Sequence, residues 1–137
     1  MISIEINNRV KGKIDSRLVK KVVEAFGRAH KIGRKEISLA FVGDAEMKKL
    51  NQTCRGINQP TDILSFDGEG SFLGEIVIDY AQIKRQAGYF GQTVKQELVF
   101  ILAHGLLHLI GYDDKTEKQK NKMIKLGEDF IKNYKLL

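Results

Sequence analysis

Two of the three histidines in this 137-residue chain, His104 and His108, stand four positions apart in the otherwise apolar run HGLLHLIGYDD. Residues with this spacing lie one above the other on a helix, so both rings project from one face. Their Nε2 atoms can then meet one cation at about 2.0–2.1 Å, the distance zinc requires. Leu106, Leu107, Leu109 and Ile110 surround the pair with apolar bulk. Gly111 sits where a helix-ending glycine belongs, in the left-handed conformation that turns the chain back. Three residues later that reversal delivers a carboxylate, Asp114. A histidine pair alone is commonly a satisfied piece of core. The stop glycine and the carboxylate shift the balance to a metal site with ligands His104, His108 and Asp114.

The pattern H-x3-H-x2-G-x2-D shares its spacing with the metzincin metal motif H-E-x-x-H-x-x-G-x-x-H. It departs in two places: Gly105 stands where the glutamate would be, and Asp114 where the third histidine would be. In a peptidase that glutamate takes the proton of the attacking water and passes it to an amine leaving group. Phosphodiester cleavage expels an oxygen and needs cationic stabilisation of non-bridging oxygens more than it needs that base. Gly105 therefore favours phosphate over peptide chemistry. A His2Asp set suits zinc, and also iron(II) or manganese.

The elements that must position these groups can be read from periodicity. Ile2, Ile4 and Ile6 alternate as in a half-buried strand, and Ile37, Leu39 and Phe41 repeat the pattern. Between them Asp15 or Ser16 caps a helix with Leu18, Val22, Phe26 and Ala29 on one face, ended by Gly33. Asp44 caps a short helix carrying Met47 and Leu50. The runs ILSF (63–66) and IVID (76–79) predict a hairpin with a long, glycine-rich loop. Asp79 caps a brief helix ending near Gly88. Thr93 with Gln96, and Thr116 with Gln119, form capping boxes that open the last two helices. Met123, Leu126, Phe130 and Tyr134 make the apolar stripe of the final one. The order β-α-β-α-β-β-α-α-α predicts an α+β fold: a single mixed four-stranded sheet with about five helices packed on it, in one domain spanning 1–137.

Composition narrows the class. The chain is 42% hydrophobic and 29% charged, as ordinary globular domains are. Its longest apolar stretch, 98–110, is shorter than the about 20 residues that span a bilayer. The opening MISIEINNRV lacks a signal-peptide layout, and the lone Cys54 has no disulfide partner, so a cytoplasmic location is expected. Residues 9–35 carry ten Lys/Arg against two acids and residues 115–137 seven against three, whereas 36–114 carry six against eleven. Two basic flanks enclosing an acidic middle favour a polyanionic partner, nucleic acid above all.

Three ordered blocks resemble one known family. HGLLHLIGYDD, preceded by ELVFILA, is similar to the signature of the YbeY family of bacterial endoribonucleases. LNQTCRGINQPTDILSF (50–66) resembles that family's LNxxYRxxDxPTDVLSF, and LGEIVI (73–78) its LGDIVI. The resemblance implies a zinc-dependent endoribonuclease specific for single strands. It also implies action in ribosomal RNA maturation, at the 3′ end of the small-subunit RNA, and in ribosome quality control. Two family metal histidines fall on His104 and His108 and the third falls on Asp114. The family's required arginine falls on Arg55, next to Cys54 where the family has tyrosine.

Arg55 by itself can be a structural arginine in a surface ion pair, or a bidentate phosphate ligand beside the permissive Gly56. The resemblance selects the second role and makes it the catalytic residue. Thr61 and Asp62 are expected to order the loop, Cys54 to pack, and His30 to interact favourably with a helix terminus. Asp113 is expected to be solvated, and Glu75 is a candidate for proton transfer at the edge of a cleft. The leading expectation is a metal-dependent endoribonuclease acting on ribosomal RNA, with the small ribosomal subunit as partner and one zinc or other divalent ion as cofactor. A metallopeptidase-like hydrolase is the alternative enzyme, and a ribosome-binding module with a structural metal the non-catalytic one.

Overall fold

The computed structural model describes residues 2–137. The first alternating segment forms β1 (Ile2–Asn8), an edge strand buried only at Ile2, with Ile4 and Ile6 half-covered. The chain then runs through α1 (Ser16–Ala29), β2 (Lys35–Val42), α2 (Asp44–Arg55), β3 (Ile63–Asp67) and β4 (Phe72–Asp79). It ends in α3 (Tyr80–Tyr89), α4 (Val94–Leu109) and α5 (Glu117–Asn133). The strands lie in the order β1-β2-β4-β3, parallel except for the antiparallel β3–β4 pair. The α+β fold with one mixed four-stranded sheet and five helices is the predicted one. Among the described residues, no helix is long and apolar enough to cross a membrane.

The central strands β2 and β4 are covered on both faces, which explains why LAFV and IVID read as nearly unbroken apolar runs. Ile37, Leu39, Phe41, Ile76 and Ile78 join the core under α1 and α4. Ala40, Val42, Leu64 and Val77 form a smaller core with Met47 of α2 on the opposite face. Helix α4 touches α1, α3, α5, β3 and β4, so it is apolar nearly all round. Leu102 and Leu106 are at most 1% exposed, and each contributes roughly 1.5–3 kcal/mol by burial.

Helix ends follow the sequence with two departures. Asp15 caps α1 through Oδ1 and the Leu18 N–H (3.1 Å), and both capping boxes form. However, α1 ends at Ala29, and Lys31 (φ 52°), not Gly33, takes the left-handed position. Ile32 N–H donates to Gly27 O there (2.9 Å), a hydrogen bond that a lysine allows despite its Cβ. Gly43 rather than Asp44 is the N-cap of α2, and the Asp44 carboxylate takes a bidentate pair from Arg85 of α3 instead (2.9 and 2.7 Å). The hairpin loop is also shorter than expected, because β4 begins at Phe72 and leaves only residues 68–71 to connect the strands.

Asp79 caps α3 as predicted, its Oδ1 accepting from Gln82 N–H (3.2 Å), while its Oδ2 is buried without a hydrogen-bond partner. Burial, reinforced by the Asp44 carboxyl, pushes its pKa up to about 7, whereas the Arg85 hydrogen bonds hold Asp44 at about 2. From about pH 4 to 7 the folded chain keeps a proton at Asp79 that the unfolded chain has released, so this group makes stability fall as pH rises. Asp79→Asn keeps the cap and needs no proton. It is expected to gain on the order of 2–4 kcal/mol over the wild type at pH 8 and nothing at pH 4, checked by urea unfolding at both values.

Candidate metal centre

His104 and His108 project from the C-terminal half of α4 as the four-residue spacing requires, with Nε2 atoms 3.2 Å apart. Helix α4 then stops in a complete Schellman motif. Gly111 has φ 104°, its N–H donates to His108 O (3.0 Å), and Tyr112 N–H donates to Leu107 O (3.1 Å). The reversal sets Asp114 Oδ2 3.3 Å from His104 Nε2 and 3.4 Å from His108 Nε2. The predicted ligand set is thus brought together, and it is the group among the described residues that can hold a metal ion.

Hydrogen bonding prepares these atoms as donors. His108 Nδ1 lies 3.0 Å from Tyr112 O. A carbonyl only accepts, so Nδ1 carries the proton and the Nε2 lone pair faces inward. Burial lowers the His104 pKa, partly offset by Asp114, which keeps the ring neutral and able to ligate near neutral pH. For Asp114 burial acts upward, but the hydrogen bonds and charges of both histidines prevail and hold the carboxyl below its ordinary value. Four ligands at 2.0–2.1 Å in a tetrahedron are separated by edges of about 3.3–3.4 Å. The observed edges of 3.2, 3.3 and 3.4 Å match one face of such a tetrahedron. Octahedral coordination at the same bond lengths calls for edges of about 2.9 Å. The donor set fits a zinc-sized ion.

His104, His108 and Asp114 line a cleft of about 680 Å³ between β3, α4 and the start of α5. Arg55, the last residue of α2, lines the same cleft. The left-handed Gly56 (φ 69°) ends its helix, and Asn51 Nδ2 pins the following loop by donating to Gln59 O (2.8 Å). The Arg55 guanidinium makes no ion pair or hydrogen bond with any described residue. A structural arginine would have such a partner. Five donors in the cleft without an acceptor suit an anion from outside the chain.

A model of the family described as endoribonuclease YbeY matches residues 2–135. The chain belongs to the endoribonuclease YbeY family. A YbeY relative from Halalkalibacterium halodurans is 35% identical over 136 residues, covering 87% of this chain and 86% of its own. Another, from Thermodesulfovibrio yellowstonii, is 47% identical over 106 residues, covering 72% and 67%. The solution structure of TM1509 from Thermotoga maritima matches with a TM-score of 0.64 at 28% identity, over 98% of this chain and 92% of that one. YbeY proteins are hydrolases acting on RNA, and the endoribonuclease expectation agrees with this membership.

Within the YbeY fold Gly105 has a packing reason. A Cβ there would stand 2.5 Å from Ile63 Cδ1 and 3.4 Å from Ser65 Oγ, where α4 crosses β3. The position that holds a glutamate in the peptidase motif faces the sheet here, and a side chain there would have to displace the Ile63 methyl. Glu75 lies away from the cleft lining, on β4 beside Ile76, with Ser38 Oγ 3.4 Å from its carboxylate, so it is no cleft-edge proton carrier. Cys54 is exposed rather than packed. His30 stacks on Phe26 (4.3 Å between centroids), and burial lowers its pKa, so it brings no extra positive charge to the helix end. Asp113 receives the Asp114 N–H (2.9 Å) and pairs with Lys115 at the surface, as a solvated neighbour.

Three cleft residues escaped the sequence reading. Lys120 was one lysine among many on α5, Ser65 an ordinary strand position, and Asp62 looked only like a loop stabiliser. Asp62 does order its loop, its backbone carbonyl accepting from Asp79 N–H (3.0 Å). Its charge is also felt by His104. Only the P-T-D block next to Arg55 hinted that these residues belong to the site.

Proposed function

We propose that this chain is a one-domain, cytoplasmic endoribonuclease. His104, His108 and Asp114 hold one zinc ion and Arg55 is the catalytic phosphate ligand. The observation that carries this reading is a converging donor triangle of 3.2–3.4 Å in the same cleft as an unpartnered arginine. The bound ion would supply Lewis acidity toward a phosphoryl oxygen and acidify water at its open position.

The chain's own groups do the rest. Arg55 grips two non-bridging oxygens and holds the phosphate as charge builds on it. Lys120 adds a second cation on the α5 side of the cleft. Phe100, Ile101 and Ile124 give the cleft apolar walls that strengthen those contacts by excluding water. His108 is kept in the ligating tautomer by the Tyr112 carbonyl. The substrate is single-stranded ribosomal RNA near the 3′ end of the small-subunit RNA, engaged on the small subunit. Supporting that partner, the two basic flanks meet in space, Lys21 Nζ lying 3.4 Å from Lys135 O and Phe26 packing edge-on against Phe130.

A cleavage assay tests this. Wild-type protein is expected to cut single-stranded ribosomal RNA, spare the duplex form and leave peptides intact. Chelation should stop cleavage and stoichiometric zinc should restore it. Cleavage indifferent to chelator would sink the metal reading, and peptide hydrolysis would replace the substrate.

A further inference from the structure

Beside the metal cleft lies a second hollow, and we propose that it is a nucleobase subsite. It takes a base of the same RNA strand and favours bases that carry an exocyclic amine. The inference rests on the RNA-cleaving reading and says where part of the substrate sits. The hollow, about 550 Å³, shares Asp62, Phe100 and Ile101 with the cleft, so a strand leaving the metal centre enters it directly. Tyr89 and Phe90 stand on its rim, 85% and 60% exposed, their rings edge-on at 5.1 Å. Adjacent aromatic rings left in water at the end of a helix serve no core. The flat faces of unpaired bases are the surfaces such rings take up in single-strand recognition.

The lining of the hollow is mainly apolar, and its small polar floor is acidic. Glu97 is only 3% exposed, and Gln86 Nε2 donates to its Oε2 (2.8 Å) and to Asp62 Oδ2 (3.3 Å). Asp62 Oδ1 also accepts from Thr61 Oγ1 (3.4 Å), and each carboxylate still keeps acceptor capacity. The neighbouring Arg85 is committed to Asp44 and leaves Glu97 uncompensated. Such a floor repels phosphate, which stays with Arg55 and Lys120, and accepts from amino groups. Cytosine presents its N4 amine, whereas uracil presents a carbonyl oxygen at that position. Distance along α4 agrees: Glu97 and His104 lie two turns apart on one face, about 10 Å along the axis, which a nucleotide or two of extended strand can span.

Fluorescence anisotropy with labelled, 2′-O-methylated pentanucleotides tests the subsite. Oligo(C) is expected to bind wild-type protein roughly tenfold more tightly than oligo(U), two pyrimidines that differ in the amine. Tyr89→Ala/Phe90→Ala should weaken binding of both roughly tenfold or more, with thermal unfolding unchanged because both side chains are exposed. Glu97→Gln should collapse the oligo(C) preference. If the aromatic double variant binds both oligonucleotides as the wild type does while Arg55→Ala weakens them, the RNA reading stands and the base subsite is wrong. The hollow would then belong to a protein segment. If wild-type protein binds neither oligonucleotide, the RNA reading fails and the subsite with it.

Discussion

Replacing His108 with alanine is expected to remove the bound metal and to slow RNA cleavage by about 10³-fold or more, the several kcal/mol a catalytic ion contributes to charge stabilisation. The fold should survive. The His108 side chain is 27% exposed at the cleft wall, and the ten buried residues of α4, from Glu97 to Leu109, do not include it. Loss of its ring removes one corner of the 3.2–3.4 Å triangle, and two ligands cannot hold a transition metal at ordinary free concentrations. Metal content by atomic absorption, single-turnover cleavage and thermal unfolding should be measured on one preparation. A variant that loses its metal and still cleaves at the wild-type rate would show that the ion staples α4 to the α5 connection and takes no part in the reaction.

The second large effect is expected at Arg55. Arg55→Ala should lower the rate constant at saturating RNA by about 10²–10³-fold, the usual cost of losing one donor to a developing oxyanion. Metal content should stay at one ion per chain, because Arg55 is not among the three ligand residues. Arg55→Lys should recover part of the loss at most, since a point charge does not reproduce the planar fork. Folding should be unaffected, as the guanidinium has no partner to lose among the described residues. A full rate in Arg55→Ala with intact metal binding would transfer the phosphate-holding role to Lys120.

The elements and the convergence of His104, His108 and Asp114 were legible in the sequence because they depend on short-range periodicity. The i, i+4 pair, the stop glycine and the returning carboxylate all lie within eleven residues, and one helix end determines their geometry. What escaped was decided by contacts distant in sequence. Gly105 read as a clue to chemistry, yet it is fixed by Ile63, on a strand more than forty residues upstream. Glu75 and Ile76 are adjacent, and only the register Phe66↔Glu75 and Ser65↔Ile76 decides which of them belongs under α4. Asp44 has the chemistry of an N-cap, but Arg85 competes for its carboxylate and the glycine before it takes the cap position. Arg55 could not be told from a structural arginine without knowing that it forms no ion pair with any described residue. The pairing of β2 with β4, and hence the edge position of β3 beside the cleft, also carries no local signal.

Tyr112 carries two duties through the two ends of its backbone. Its N–H closes the last turn of α4 on Leu107 O, and its C=O selects the His108 tautomer. The proton's address on the imidazole is therefore written by the way the helix stops. For an ion held by these residues, binding and turn closure would be two halves of one equilibrium: free energy released on docking would also shut this corner, and a frayed corner would weaken the hold. Position 111, which has no ligand atom, would thereby enter the thermodynamics of metal capture.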